Sequence, residues 1–168
     1  MDLDRYRGSI LGLAAGDAIG APVEFRAPSS FEPVSGMAPG GAFGLKAGQW
    51  TDDTSLALCL SESLIETKSF DLVDQLDRYV LWYRHGHLSS TGECFDIGNT
   101  TSAALREFER SRNPHSGPTS PSTAGNGSLM RLAPVPLVYA NRFVEAVEKS
   151  GESSRTTHGA AEAVDSCR

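Results

Sequence analysis

Apolar side chains recur along most of the chain at the three- and four-residue intervals of amphipathic helices. The predicted helices begin after Asp2 or Asp4, after Thr51, after Asp71, at Asn99 or Thr100, near Asn141 and near Thr156. No segment alternates between apolar and polar residues as a half-buried strand does. The pattern therefore predicts an all-α fold.

Glycine occupies every fourth position of the first predicted helix, at Gly8, Gly12, Gly16 and Gly20. Each glycine inside a helix costs about 1 kcal/mol relative to alanine. A transmembrane dimer face would explain such a stripe, but Asp17 and the shortness of the apolar run exclude it. We therefore expect a central helix that neighbouring backbones approach closely. Gly12→Leu should then disrupt folding.

Two stretches rich in turn-forming residues, 26–49 and 111–127, are predicted to be long loops. No linker separates two cores, so the chain is predicted to hold one domain over residues 1–168. The helical pattern from Ala160 continues to Arg168 without a stop signal. We therefore expect the N-terminal part of a larger domain, cut within a helix.

Charge and composition narrow the classes of partner. The 168 residues include 15 Lys and Arg and 21 Asp and Glu, a net charge of −6, so the basic surface of a nucleic-acid binder is missing. Three cysteines fit a reducing compartment better than a disulfide framework. The N-terminus shows no signal peptide, and no apolar run is long enough to cross a membrane. A cytoplasmic protein is predicted.

The run Thr51-Asp52-Asp53-Thr54-Ser55 opens the second predicted helix. Adjacent carboxylates repel each other, and a hard divalent cation such as Mg²⁺ or Mn²⁺ relieves that repulsion. Ordinary N-capping is the alternative, in which these oxygens accept hydrogen bonds from free backbone N–H groups. Both interpretations stay open at this point. A metal would need further carboxylates from elsewhere in the protein.

Other candidate residues lie at predicted helix ends. Asp17, in an apolar stretch, is either a loop-tethering acceptor or a catalytic group, and Glu24 is either a site residue or a solvated acid. Glycine-containing turns at 96–101 and 125–131 precede helices, where backbone N–H groups can bind a diphosphate. His158 is predicted at a helix start, where it either bonds a ligand phosphate or packs.

Together and in order, five segments resemble the ADP-ribosylglycohydrolase family. They are GDAIGAPVE at 16–24, GQWTDDTS at 48–55, FDIGNTT at 95–101, GNGSLMRLAP at 125–134 and Thr157-His158. The resemblance covers nearly the whole chain. It implies a compact orthogonal helical bundle and a hydrolase that removes ADP-ribose from modified protein side chains or small conjugates.

The resemblance also implies roles for individual residues. Thr51, Asp52 and Asp53 would be ligands of two divalent cations, Mg²⁺ or Mn²⁺, and Asp96 and Glu24 would be catalytic. The implied substrate-binding residues are Asp17, Ile97, Gly98, Asn99, Gly125, Asn126, Gly127, Ser128, Met130 and His158. Among them, Asn99 would face the reacting ribose, and the turn at 127–128 with His158 would hold the diphosphate and the adjoining ribose.

The family pattern continues beyond this length and includes a late Asp-x-Asp-Thr segment that completes the metal pair. Nothing after Asp53 has that form. A complementing C-terminal chain is therefore an expected partner, besides ADP-ribose or an ADP-ribosylated protein. The alternatives are an inactive ADP-ribose-binding module and a structural fragment.

Overall fold

The computed structural model describes residues 2–168, and its regular secondary structure consists of helices. The helices are α1 (Leu3–Gly20), α2 (Asp52–Thr67), α3 (Leu72–His85), α4 (Asn99–Ser111), α5 (Pro134–Val138), α6 (Phe143–Arg155) and α7 (Ala161–Cys167). Within residues 2–168 no strand forms, although Gly40 and Leu45 make an isolated bridge. The all-α prediction is confirmed.

Local capping explains where two of the helices begin, and a third begins as predicted without a side-chain cap. The side chain of Asp2 accepts a hydrogen bond from the Asp4 N–H at the start of α1. Asp71 caps α3 by accepting from the N–H groups of Val73 and Asp74. α4 begins at Asn99, as predicted. The starts of α1 and α3 were predictable because each cap lies next to the helix that it caps.

The core lies where α2, α3, α4 and α5 meet. α2 packs against α3 and α5, and α3 packs against α4, while α6 packs against α5 and α7. Fully buried side chains in this core are Leu56, Leu60, Leu76, Tyr79, Trp82, Leu105, Phe108 and Val135. Their burial stabilises the scaffold that holds the ends of α2 and α4 in place.

The expectation of a closely packed glycine stripe on α1 is wrong for the described residues. A Cβ added at Gly8, Gly12, Gly16 or Gly20 would meet nothing within 4 Å. Ala18 is the buried residue of α1, because the helix packs on α2 and on the 3₁₀ turn that follows it. No other element within residues 2–168 therefore covers the glycine face of α1.

The two long loops are confirmed, with a 3₁₀ turn inside the second at Pro121–Thr123. The C-terminal helices differ from their prediction. α6 runs from Phe143 to Arg155, and its small buried residues, including Gly151, allow α7 to pack against it. His158 lies between α6 and α7 and not at a helix start. Within residues 2–168, no helix combines the length and hydropathy needed to span a membrane.

Candidate active site

The start of α2 is held by a carboxylate from another helix. Both oxygens of Asp17 on α1 accept from the Thr51 N–H, at 3.0 and 3.1 Å, and Oδ1 also accepts from the Thr51 hydroxyl at 2.9 Å. Oδ2 further accepts from the N–H and hydroxyl of Thr54, at 3.1 and 2.6 Å. Asp17 therefore makes the loop-tethering contacts that were one of its two predicted roles.

Because of this arrangement, Asp52 and Asp53 in the first turn of α2 do not act as helix caps. Thr51 is the N-cap residue, yet its side chain makes no capping hydrogen bond. Since Asp17 supplies the acceptors that α2 needs, Asp52 and Asp53 are not required as caps. The N-capping interpretation of the Asp-Asp pair is therefore not what the structure shows.

Asp52 and Asp53 line a cavity of about 410 Å³. Its other lining residues are Glu24, Phe25, Asp96, Ile97, Gly98, Asn99, Thr100, Thr101, Gly125, Asn126, Gly127, Met130 and His158. The cavity thus joins the end of the first helical segment, the start of α2, the start of α4, the turn before residue 130 and the α6–α7 connection. We call it the main cleft.

The acids of the main cleft are crowded and partly removed from water. Burial, followed by the charge of Asp53, raises the pKa of Asp52 to about 8. Burial and the nearby Asp17 and Glu24 raise the pKa of Asp53 to about 6. Burial and the adjacent Glu24 raise the pKa of Asp96 to about 7. This wall of the cleft therefore favours cations or bound protons.

Two cleft residues have backbone conformations that are uncommon for residues with a side chain. Phe25 and Asp96 have φ angles of 61° and 60°. Edge-to-face ring contacts join the segments that carry them, because Phe43 packs against Phe25 at 6.1 Å and against Phe95 at 5.3 Å between centroids. This aromatic chain connects the loop bearing Glu24 with the turn bearing Asp96.

The opposite wall is a close contact between a glycine turn and a histidine. A Cβ at Gly127 would lie 2.7 Å from His158 Cε1 and 3.0 Å from Thr101 Oγ1, so a glycine is needed there. His158 Nδ1 lies 2.9 Å from the Thr157 hydroxyl. Burial, and then the charge of Arg131, lowers the pKa of His158 to about 3, so the ring is uncharged at neutral pH.

Most of the residues predicted for the site meet in the main cleft, and three do not line it. Asp17 and Thr51 border an adjoining pocket of about 300 Å³, which shares Glu24 and Asp53 with the main cleft. The Ser128 hydroxyl points away and bonds to that of Ser154 at 2.8 Å. A ligand in the main cleft therefore does not reach the Ser128 hydroxyl, because that group is buried behind the turn.

Sequence reasoning missed several residues of the site. Phe25, Thr100 and Thr101 line the main cleft, and Arg131 lies behind its glycine turn. The two threonines follow the predicted Asn99 directly, so helix register could have indicated them. Nothing in the local sequence indicates the ring contacts of Phe25 or the burial of Arg131.

The donor set of the cleft fits part of a site for a hard divalent cation. The carboxylates of Asp52 and Asp53 and the hydroxyl of Thr51 are oxygen donors of the kind that Mg²⁺ and Mn²⁺ prefer. Burial first, and the neighbouring carboxylates second, raise the pKa of both acids, and a bound cation would oppose both effects. In the part of the chain that is described, however, no three His, Cys, Asp or Glu side chains are grouped for metal binding.

Comparison with known proteins adds an independent finding. A family model described as ADP-ribosylglycohydrolase matches residues 1–168. The chain is 46% identical over 166 residues to an ADP-ribosylarginine hydrolase Tri1 of Pseudomonas putida, covering 99% of this chain and 44% of that protein. It is 36% identical over 159 residues to the ADP-ribosyl-[dinitrogen reductase] glycohydrolase of Rhodospirillum rubrum, covering 92% and 50%.

A solved structure is also similar. The chain matches an ADP-ribosylglycohydrolase-related protein complex with a TM-score of 0.83 and 43% sequence identity, over 96% of this chain and 52% of that one. The chain therefore spans about half the length of the relatives that it matches.

Proposed function

The chain belongs to the ADP-ribosylglycohydrolase family, and we propose that it carries the ADP-ribose cleft and the acidic catalytic groups of a hydrolase that removes ADP-ribose from modified proteins. The observation that carries this proposal is the composition of the main cleft. One wall presents the acids Asp52, Asp53 and Asp96, and the facing turn at 125–127 presents backbone and an uncharged His158. The acids can accept hydrogen bonds from sugar hydroxyls, and the backbone N–H groups of the turn can bind a diphosphate.

The acidic wall suits the cleavage of a glycosidic bond. Hydrolysis breaks the bond between the anomeric carbon of the ribose and the acceptor atom, while water supplies a hydroxyl to the carbon and a proton to the acceptor. The transition state resembles an oxocarbenium ion, which nearby carboxylates stabilise. Asp96, with a pKa of about 7, exchanges a proton readily near neutral pH and is proposed as the acid–base group. Glu24, beside it, is proposed to assist.

Thr51, Asp52 and Asp53 are proposed to supply ligands to divalent cations, Mg²⁺ or Mn²⁺. Such ions, when bound, orient a ribose diol and lower the pKa of a bound water molecule. The protein's own contribution is to hold these oxygens at the start of α2 through Asp17. Because the described acids fill only part of a coordination shell, the remaining ligands are proposed to come from outside residues 2–168.

The facing wall is proposed to bind the rest of ADP-ribose. Asn99, at the start of α4, is proposed to face the ribose beside Asp96, together with the backbone of Ile97 and Gly98. The turn formed by Gly125, Asn126 and Gly127, with Met130 and His158, is proposed to hold the diphosphate and the adjoining ribose. These assignments place the reacting carbon near the acids.

Arginine is proposed as the modified side chain. The relatives from Pseudomonas putida and Serratia proteamaculans, 46% and 43% identical, are both named ADP-ribosylarginine hydrolases. A guanidinium leaving group also suits the acidic wall, since it carries positive charge.

The test is release of ADP-ribose from a protein modified on arginine, compared with the same protein modified on serine, with Mg²⁺, with Mn²⁺ and with a chelator. We expect the wild-type chain to release ADP-ribose from the arginine conjugate. Asp96→Asn should reduce that release by about a hundredfold. Equal release by the wild-type chain and Asp96→Asn would contradict the assignment of Asp96.

An ADP-ribose-binding module without turnover is the second candidate, because the chain spans about half of each relative and its described acids do not complete a metal shell. Calorimetry separates the two. Binding of ADP-ribose without release under any metal condition would favour the binding module. If release were restored by adding the second half of the Pseudomonas putida relative, the hydrolase would be favoured instead.

A further inference from the structure

Arg131 is a fully buried cation beside the main cleft. It is 0% exposed, and the hydrogen-bond partners of its guanidinium within residues 2–168 are two carbonyls and a hydroxyl, not a carboxylate. Its positive charge is balanced by polar groups and by the face of Tyr79, which lies 4.6 Å from the guanidinium carbon. Burying an arginine without an acid is costly, so a particular role for this side chain is indicated.

The hydrogen bonds of Arg131 join two parts of the site. Nη1 donates to the carbonyl of Gly127 at 2.8 Å, and so holds the turn that forms the cleft wall. Nη2 donates to the Ser153 carbonyl at 3.2 Å and to the Thr156 hydroxyl at 3.0 Å, both at the end of α6. The planar guanidinium therefore fixes the distance between the turn and α6.

His158 follows that end of α6 and is fixed from its other side as well. The Gly117 N–H donates to the Arg155 carbonyl at 3.1 Å, and the Gly159 N–H donates to the Pro118 carbonyl at 3.0 Å. A Cβ at Gly117 would lie 2.5 Å from the backbone nitrogen of His158. The backbone of His158 is thus clamped while its ring contacts Gly127.

The ring of His158 lies between the buried Arg131 and the main cleft. Arg131 approaches from the interior, and the carboxylates of Glu24, Asp52, Asp53 and Asp96 line the cleft that the ring enters. Burial and the Arg131 charge keep the ring unprotonated. Without that cation, only burial would oppose protonation of the ring.

We propose that Arg131 is a positioning residue for ADP-ribose, which locks the Gly127 turn to the end of α6 and so holds the His158 ring against that turn. The ligand part of this inference rests on the proposed function. The part that concerns His158 does not, because it can be measured on the chain alone.

The experiment compares wild type, Arg131→Met and Arg131→Lys. The NMR signal of the His158 ring, assigned with His158→Gln, is titrated with pH, and ADP-ribose affinity is measured by calorimetry. Arg131→Met should raise the titration midpoint of His158 by at least about one pH unit and weaken binding about tenfold. Arg131→Lys should leave the midpoint low and weaken binding, because it keeps the charge and loses the forked contact.

Arg106→Met is the matched control, because Arg106 is an exposed arginine of α4 whose guanidinium bonds to Ser102. It should change neither quantity. If Arg131→Met does not fold, Thr156→Val removes one acceptor of Nη2 and should weaken ADP-ribose binding by about threefold.

A folded Arg131→Met with an unchanged His158 midpoint and an unchanged affinity would overturn the inference. So would equal losses of binding in Arg131→Met and Arg106→Met. Failure of the wild-type chain to bind ADP-ribose would instead contradict the proposed function, while the titration of His158 would still test whether Arg131 holds the ring uncharged.

Discussion

The Asp17 carboxylate on α1 accepts hydrogen bonds from both the backbone N–H and the hydroxyl of Thr54 in the first turn of α2. Asp17, which is distant in sequence, thereby caps α2, whereas the side chain of the N-cap residue Thr51 makes no capping hydrogen bond. Asp52 and Asp53 are left to face the main cleft. The tether explains how one helix start can display two adjacent acids without using either as a cap.

Asp17→Asn should destabilise the chain. An amide keeps the shape of the side chain but replaces one acceptor oxygen with a donor, which opposes the N–H groups of Thr51 and Thr54. A loss of about 2 kcal/mol in the free energy of unfolding is expected from denaturant titration. Asp4→Asn, at an exposed acid of α1 paired with Arg7, should change it by less than about 0.5 kcal/mol. Equal stability of the two variants would contradict the tether.

His158 should contribute to the loss of stability in acid. Its folded pKa of about 3 lies below the ordinary 6.5, so the unfolded chain takes up a proton that the folded chain excludes. Above pH 6.5 this difference in proton binding does not affect the free energy of unfolding. As the pH falls from 6.5 towards 3, it lowers the free energy of unfolding progressively. Thermal melting of wild type and His158→Gln over this range should show a shallower decline for the variant.

His115→Gln is the control for that comparison, since His115 is half exposed and paired with Glu152. Its melting temperature should fall with acid in parallel to wild type. Parallel curves for wild type and His158→Gln would show instead that the buried histidine is not the group that resists protonation.

The sequence predicts the starts of α1 to α4 well because their signals are local. Asp71 lies next to the N–H groups that it caps, and the residues after Thr51 show the helical period directly. The set of cleft residues was predictable in a different way, through the order of five segments that resemble one family. Spacing alone left both the metal and the capping interpretations of Asp52 and Asp53 open.

What the sequence did not predict depends on contacts between distant parts of the chain. The acceptor for Thr54 lies on α1, and two of the three hydrogen-bond partners of Arg131 lie at the end of α6. The opposite error occurred at Gly12, where a regular glycine pattern indicated a close contact that residues 2–168 do not make. A pattern reports spacing along one helix and does not report whether another element covers it.

Gly127→Ala should weaken ADP-ribose binding by about tenfold. The new Cβ would lie 2.7 Å from the His158 ring and 3.0 Å from Thr101, so the turn or the ring must move. Gly125→Ala, in the same turn, should weaken binding by less, because its Cβ would lie an ordinary 3.5 Å from His158. Calorimetry with ADP-ribose should separate the two, and equal affinities would show that the Gly127 contact does not shape the cleft.

Gly12→Ala should stabilise the chain by about 0.5–1 kcal/mol, since alanine favours the helix and its Cβ would meet nothing within 4 Å. This expectation replaces the disruption predicted from the glycine pattern. Gly117→Ala, by contrast, places its Cβ 2.5 Å from the His158 nitrogen and should destabilise. Denaturant titration of both variants checks the signs, and a loss of stability in Gly12→Ala would show that another surface covers α1 in solution.

Phe43→Ala should loosen the two loops that carry Glu24 and Asp96. Phe43 contacts Phe25 and Phe95, and each ring pair contributes about 1 kcal/mol beyond its buried area. Hydrogen exchange at residues 24–26 and 95–97 should therefore accelerate, with weaker ADP-ribose binding, because the acids would no longer be held at one separation. Phe31→Ala is the control for residues 95–97, since Phe31 lies in the same loop but packs against Arg26, and it should leave exchange at 95–97 unchanged. Acceleration at 24–26 alone would mean that the ring chain does not extend to Asp96.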